Sequence, residues 1–341
     1  MKWLITGGCG FVGSNLANAL LQSGDAVYLL DNLSRHGSAN NLNWLNAQYG
    51  KDIIFYQADT RDISNITRII NEIKPDAIAH LAGQVAMTTS IKDPRMDFEV
   101  NAAGTLNILE AVRLVSPTSI VVYSSTNKVY GSLNQLRTQE QNTRYILPDH
   151  PNGLDEDIPL DGCSPYGCSK LCADQYVRDY SRIYGIPTVV FRHSSMYGGR
   201  QYATYDQGWI GWFCQQAIMM KDTHVEPFTI NGNGKQVRDV LHADDLIRAY
   251  QMVVQNINVT AGKIYNIGGG TDNSMSLLEL FQMLEMFTRS TLRYRCLESR
   301  PGDQKVFIAD TRRAHQDFKW APYIDKESGI QKMLEWCQEI S

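Results

Sequence analysis

Tyr166 and Lys170 stand four residues apart, just inside a helix start in the stretch Ser164-Pro165-Tyr166-Gly167-Cys168-Ser169-Lys170. Ser164 is a residue type that caps helices, and Pro165 suits the first turn, where a missing N–H costs nothing. A spacing of four puts the two side chains on one face, one turn apart. A protonated amine beside a phenol stabilises the phenolate, so the Tyr166 pKa is expected to fall toward working pH. Tyr166 is then a candidate general acid–base for a hydroxyl proton. Tyr and Lys also meet at this spacing on solvated helix faces, so the rest of the chain has to give the pair its meaning.

A second constellation lies at the N-terminus. The apolar run Lys2-Trp3-Leu4-Ile5-Thr6 reads as a buried strand and ends in glycines at 7, 10 and 13, followed by a helical run. Gly7 permits a tight turn, Gly10 lets backbone N–H groups approach a pyrophosphate, and Gly13 lets helix pack close to strand. The helix N-terminus offers the positive end of a dipole to phosphates. A second strand, Ala26 to Leu30, ends at Asp31, eighteen residues past Gly13. An acid there accepts ribose hydroxyls and repels a 2′-phosphate, which favours NAD over NADP, although Arg35 nearby weakens that preference.

Strands and helices then alternate. Ile53 to Tyr56 is a strand leading to Asp59-Thr60, expected beside an adenine ring. Ala77 to Leu81 is the next, leading to Ala82-Gly83-Gln84. Residues 97–115 have the apolar spacing of one helix, residues 119–123 form a strand, and the 164–184 helix precedes a strand at 188–192. This order predicts an α/β fold, a doubly wound parallel sheet with its site at the carboxyl strand ends. We expect a dinucleotide-binding domain over 1–190. A smaller, interleaved substrate domain over 191–341 has some segments returning to the first. In that second half, Asn231 to Lys235 reads as a hairpin turn. Arg238 and Arg300 are each able to grip a phosphate in a fork, with a surface salt bridge as the bland reading. The run Asp155-Glu156-Asp157 reads as a solvated loop.

The 341 residues are 43% hydrophobic and 20% charged, with a net charge of −4. That balance offers no footprint for nucleic acid or an anionic membrane surface. No apolar run approaches the roughly 18 residues that span a bilayer. Seven cysteines without scaffold density read as reduced thiols and, with no signal-peptide pattern, place the chain in the cytoplasm. Cys163, Cys168 and Cys172 have no histidine close by and read as small apolar filler, so no metal is expected.

Several stretches together resemble the extended short-chain dehydrogenase/reductase family of nucleotide-sugar enzymes. They are Gly7-x-x-Gly10-x-x-Gly13, Asp31-Asn32, His80-Leu81-Ala82-Gly83, Ser124-Ser125-Thr126, Tyr166-x-x-x-Lys170 and Arg238-Asp239. Longer runs, 80–90, 124–131, 191–201 and 203–209, are similar to the branch of that family that inverts carbon 2 of CDP-linked sugars. The resemblance implies a catalytic set of Thr126, Tyr166 and Lys170. It implies NAD held by the glycine turn with Phe11 and Val12, by Asp31, Asn32, Ser34 and Arg35, and by Asp59 and Thr60. Leu81, Ala82, Gly83, Tyr166, Lys170 and His193 complete that set. A CDP-sugar substrate would be met by Gln84, Thr126, Asn127, Ser194, Ser195, Arg200, Gln201, Arg238 and Arg300. The helices over 97–115 and 164–184 resemble those that pair relatives into homo-oligomers, dimers or tetramers.

Two departures narrow the activity. Relatives that eliminate the sugar 6-hydroxyl place Asp-Glu directly after the serine or threonine; here Asn127 and Lys128 stand there. Without that acid and base, 4,6-dehydration is disfavoured. The broad family favours Asn at position 195, whereas Ser194-Ser195 follow His193 here, a small polar floor for a sugar that must turn over. The same chemistry on another nucleotide hexose, at carbon 2 or 4, is the alternative. A non-catalytic NAD sensor is the rival from another class.

Overall fold

The computed structural model describes residues 1–221, 224–299 and 302–340. Seven strands form one parallel sheet: β1 (Lys2–Thr6), β2 (Ala26–Asp31), β3 (Ile53–Gln57), β4 (Ala77–His80), β5 (Ile120–Thr126), β6 (Thr188–His193) and β7 (Ile264–Ile267). Their spatial order is β7-β6-β5-β4-β1-β2-β3. The chain thus winds one way from β1 to β3 and the other way from β4, and the switch lies between β1 and β4. Thr6 pairs with His80 there, so both strand ends open on one crevice.

The sheet carries apolar residues on both faces because helices cover both. Ile5, Val122, Val189 and Phe191 join one core, while Leu4, Val121 and Val190 join the other, the two-residue alternation of a strand. β7 lies deep in the second half of the sequence, yet it is the edge strand beside β6, with Ile267 opposite His193. The helix Ala243–Gln255 also packs into the first core, through Leu246, Tyr250 and Val253. A separate core of Tyr197, Phe213, Phe281, Leu284, Met333 and Trp336 lies wholly in the second half, while Val237, Val306 and Phe307 pack with Val129 and Tyr130 from the first.

Three local expectations are corrected. The 97–115 helix is broken into Pro94–Phe98, a π turn Glu99–Ala103 and Gly104–Val115. Gly104 N–H reaches back five residues to Glu99 O, and a Cβ on Gly104 would lie 2.7 Å from Thr60 Oγ1. Close packing there is bought with one extra residue in the turn, which re-aims Asn101 into the interior. The Asn231–Lys235 turn is no hairpin: Phe228–Asn231 pairs with Tyr294–Leu297, whereas Val237–His242 pairs with Ser195–Tyr197, Ser274–Ser276 and Val306–Phe307. Within the acidic run, Glu156 is buried. Its Oε1 accepts the Asn266 N–H at 2.7 Å and its Oε2 pairs with Arg313 at 3.3 Å, so one of the three acids ties the 131–164 segment to β7.

Candidate active site

The glycine turn leaves no room for side chains. Gly7 has a φ of 68°, and a Cβ there would lie 2.8 Å from Ala82 N, at the end of β4. A Cβ on Gly13 would lie 2.2 Å from Gly7 O, which is impossible without displacing the turn. Gly10 precedes the Phe11–Gln22 helix and brings no side-chain cap, so the first-turn N–H groups of Phe11 and Val12 keep the anion-binding capacity of an uncapped N-terminus. Asp31 ends β2. Its oxygens accept Cys9 N–H at 3.0 Å and Leu33 N–H at 2.8 Å, which fixes the carboxylate at the rim of the turn. Asn32 donates to Asp59 at 2.9 Å and accepts Ser34 N–H at 3.0 Å. Asp59 is held well below the usual carboxylate range by a two-point bond from Arg61. Thr60 is buried against Gly104, and exposed Arg35 carries its charge toward Asp206. Donors, cradle and acid fit a dinucleotide.

Tyr166 and Lys170 share one face of the helix Ser164–Tyr184. Ser164 sits in the left-handed region, φ 71°, and its Oγ accepts Gly167 N–H at 3.2 Å, the bond of a helix cap. Lys170 is buried; its Nζ donates to Ser124 O and lies 4.3 Å from the Tyr123 ring centroid. Thr126 closes β5, with Oγ1 accepting Lys128 N–H at 3.2 Å and lying 3.3 Å from Asn127 Oδ1. The expected acidic phenol is corrected. Burial pushes Tyr166 up to about 12, with the Thr126 hydroxyl opposing and Asp97 assisting. Burial also draws the Lys170 amine down to about 7, against the pull of Asp174 and Asp97. Desolvation opposes charge on both, on Lys170 in the interior and on Tyr166 half-buried at a cavity wall. His193, opposite Thr126 in the β5–β6 register, meets Tyr250 Oη through Nε2 at 3.1 Å. Its Nδ1 is buried without a partner, an orphan polar atom beside the lysine.

Tyr166 faces a cavity of about 300 Å³. Asn127, Ser194, Ser195 and Arg238 line it as well, so five expected residues meet there. Ser194 Oγ donates to Asp239, and Ser195 Oγ accepts Trp209 Nε1–H at 3.2 Å. Arg238 Nη2 and Lys128 Nζ both reach Asp303 Oδ1, at 2.8 and 3.2 Å, placing two cations and one carboxylate in the wall. Trp209, Trp212 and Phe213 supply an aromatic wall, and Asn231 and Gln236 add amides.

Four expected substrate residues do not line the cavity, Thr126 among them, whose hydroxyl meets Tyr166 behind the wall. Gln84 is spent on Asp97 and on the backbone of Ala86. Arg200 is stacked between Trp44 and Trp336, its guanidinium 4.1 and 4.6 Å from the ring centroids. Gln201 donates to Met196 O at 3.1 Å. Arg300 lies outside the described residues. Sequence reasoning missed Lys128, Asp303 and Asp97. Lys128 reads in sequence only as the place of a missing glutamate, and nothing in spacing announces that Asp97 bonds Ser169, seventy-two residues on.

Comparison with known proteins agrees with this architecture. The profile of the GDP-mannose 4,6-dehydratase family matches residues 4–333. The chain is 53% identical over 340 residues to CDP-paratose 2-epimerase of Salmonella typhi, covering 100% of both chains. UDP-glucuronic acid 4-epimerase from Bacillus cereus, solved in complex with UDP-glucuronic acid and NAD, superposes with a TM-score of 0.84 at 26% identity and 100% coverage of both. Thermus thermophilus UDP-glucose 4-epimerase, solved with NAD, gives 0.81 at 26%, again over 100% of both. With its glycine cradle, its Tyr166–Lys170 helix and a family match over almost its whole length, the chain belongs to the GDP-mannose 4,6-dehydratase family of extended short-chain dehydrogenases/reductases.

Proposed function

We propose that the protein is an NAD-dependent isomerase that inverts carbon 2 of a CDP-linked sugar, of the CDP-paratose to CDP-tyvelose type, through a transient 2-keto sugar. The observation that carries this reading is Tyr166 at the wall of the cavity with Lys170 one turn behind it and no Asp-Glu pair beside Thr126. Full-length likeness to a CDP-paratose 2-epimerase supports the choice of sugar and carbon.

Tyr166 Oη takes the proton of the 2-hydroxyl and later returns it, while Thr126 Oγ1 holds the same oxygen. NAD, when bound, would supply the redox chemistry at the sugar carbon. Lys170 holds the nicotinamide ribose, and in its charged form it favours the phenolate that burial opposes. The unpartnered His193 Nδ1 and the glycine cradle are further cofactor contacts. Arg238, with Arg300, meets the diphosphate, and the Ser194–Ser195 floor leaves space for the keto sugar to rotate before the proton returns. Binding and orientation are the protein's share.

The first 190 residues on this reading hold the cofactor and most of 191–341 the nucleotide sugar. The enzyme is cytoplasmic; no helix among the described residues is long and apolar enough to cross a membrane. It is a homo-oligomer, supported by Ile91, Phe98, Leu114, Tyr176, Ile183 and Tyr184, which are exposed on the helices around 87–115 and 164–184.

Proton NMR of the purified enzyme with CDP-paratose, CDP-glucose or UDP-glucose tests the reading. Inversion at carbon 2 of CDP-paratose is expected. Inversion of CDP-glucose instead would move the substrate, inversion only at carbon 4 would replace the reaction, and no change with NAD bound would leave a sensor.

A further inference from the structure

Behind the Tyr166–Lys170 face lies a carboxylate that the reaction above leaves unused. Asp97, on the short helix Pro94–Phe98, is fully buried. Its Oδ2 accepts the Ser169 hydroxyl at 2.6 Å, and its Oδ1 accepts Gln84 Nε2–H at 2.8 Å and Asn101 Nδ2–H at 3.2 Å. Asn101, turned inward by the π turn, accepts Gln84 N–H at 2.9 Å and donates to Gln84 O at 3.0 Å. It also lies 3.1 Å from Ser169 Oγ. One carboxylate thus fastens the loop after β4, the π turn and the helix that carries the reactive pair. Every partner presents a donor. An apolar side chain at 97 would leave one Gln84 N–H without its acceptor and leave Ser169 Oγ only its 3.1 Å bond to Tyr166 O, and an amide would turn a donor against one of the three.

Ser169 is the residue between the two reactive ones, three after Tyr166 and one before Lys170. Its bond to Asp97 fixes the rotation of that turn, and with it the directions in which phenol and amine point. The charge of Asp97 also acts. Lys170 is faced by Asp174 from its own helix, Asp97 from the short helix, His80 from β4, His193 from β6 and the Tyr123 ring from β5. Tyr166 is faced by Thr126, Asp97 and Tyr123. Burial holds both histidines neutral, with values near 3, and keeps the Tyr123 phenol protonated. Asp97 and Asp174 are therefore the carboxylates of this surround; Asp174 is already matched to Arg192, and burial pushes the Asp97 carboxyl up while its bonds from Ser169 and Gln84 and the Lys170 charge favour the anion.

We infer that Asp97 is a positioning residue for the Tyr166–Lys170 pair: buried behind them, it fixes through Ser169 the helix turn that carries both. The consequence for turnover rests on the function proposed above; the consequence for protonation does not. The carboxylate keeps Lys170 cationic near neutral pH, and in exchange it makes the phenol harder to ionise.

The test is Asp97→Asn in the NAD-loaded enzyme. The Tyr166 phenol is titrated by NMR in carbon-13 tyrosine-labelled protein, its resonance identified by its absence from Tyr166→Phe. The pH profile of kcat is recorded in parallel. The phenol is expected to titrate lower by on the order of one unit, with both limbs of the profile moving the same way. At the optimum kcat is expected to fall by roughly tenfold to a hundredfold as the turn loosens. An unmoved phenol and unmoved limbs, in a variant that melts like the parent, would overturn the inference. Should Asp97→Asn fail to fold, Ser169→Ala keeps the charge and removes the tie. A lower kcat with unmoved limbs supports the positioning role, and parental kcat overturns it. An enzyme inert toward every nucleotide sugar would remove the proposed reaction and leave the phenol titration to decide the role of Asp97.

Discussion

Arg192 and Asp174 face each other in full burial, joined by two N–H···O bonds of 2.9 Å each. Asp174 lies one turn beyond Lys170 on the Ser164–Tyr184 helix, and Arg192 precedes His193 on β6. Ser125 Oγ adds a third bond to Asp174 at 2.8 Å. The pair therefore clamps the helix to the two strands whose ends carry Thr126 and His193. Removing one partner strands the other charge. Asp174→Asn is expected to destabilise the fold by about 3–5 kcal/mol, measured by urea denaturation.

Tyr166→Phe removes the one atom that handles the proton and changes little else. Turnover is expected to fall by on the order of 10² to 10⁴ while the melting temperature stays near that of the parent. Bound NAD, released by denaturation and quantified by absorbance, is expected to be undiminished. Parental turnover in this variant would remove Tyr166 from the chemistry.

Gly13→Ala places a Cβ where Gly7 O already stands, 2.2 Å away, and 2.7 Å from Gly8 Cα. The helix must move off the turn, at a cost of about 1–3 kcal/mol. The added thermal stability that NAD gives the parent is expected to vanish in the variant. Melting curves with and without NAD measure both effects.

Stability should respond to pH in two windows. The folded values are about 3 for His80 and His193 and about 7 for Lys170, against ordinary values of 6.5 and 10.5. In each window the unfolded chain binds more protons, so stability rises with pH. The histidine contribution is complete above 6.5 and is lost as pH falls toward 3. The lysine penalty is full below 7 and is relieved as pH rises toward 10.5. Lys170→Met lacks the second effect, so its stability advantage over the parent is expected to shrink between pH 7 and pH 10. A constant difference in denaturant midpoint across that range would contradict the burial of a titrating amine.

The sheet and the cofactor turn were legible in sequence because their causes are local. A strand buried on both faces must be continuously apolar, and a turn without room for a Cβ must be glycine, as at Gly7 and Gly13. The Tyr166–Lys170 face follows from helical spacing alone. What could not be read was set by tertiary contact. The π turn at 99–103 depends on Thr60 pressing against Gly104. The burial of Glu156 depends on Arg313 and β7. Arg200 is expected among the substrate contacts until Trp44 and Trp336, far from it and from each other in the chain, close on both of its faces. The phenol pKa depends on how much water the folded site admits, which no spacing records.

The measurement that tests the central claim most directly is epimerisation of CDP-paratose in deuterium oxide, followed by proton NMR. A redox route through bound NAD returns the carbon-bound hydrogen to carbon 2, so the CDP-tyvelose formed should carry protium there. Deuterium at carbon 2 would mean that the carbon had exchanged with solvent, and it would contradict the account.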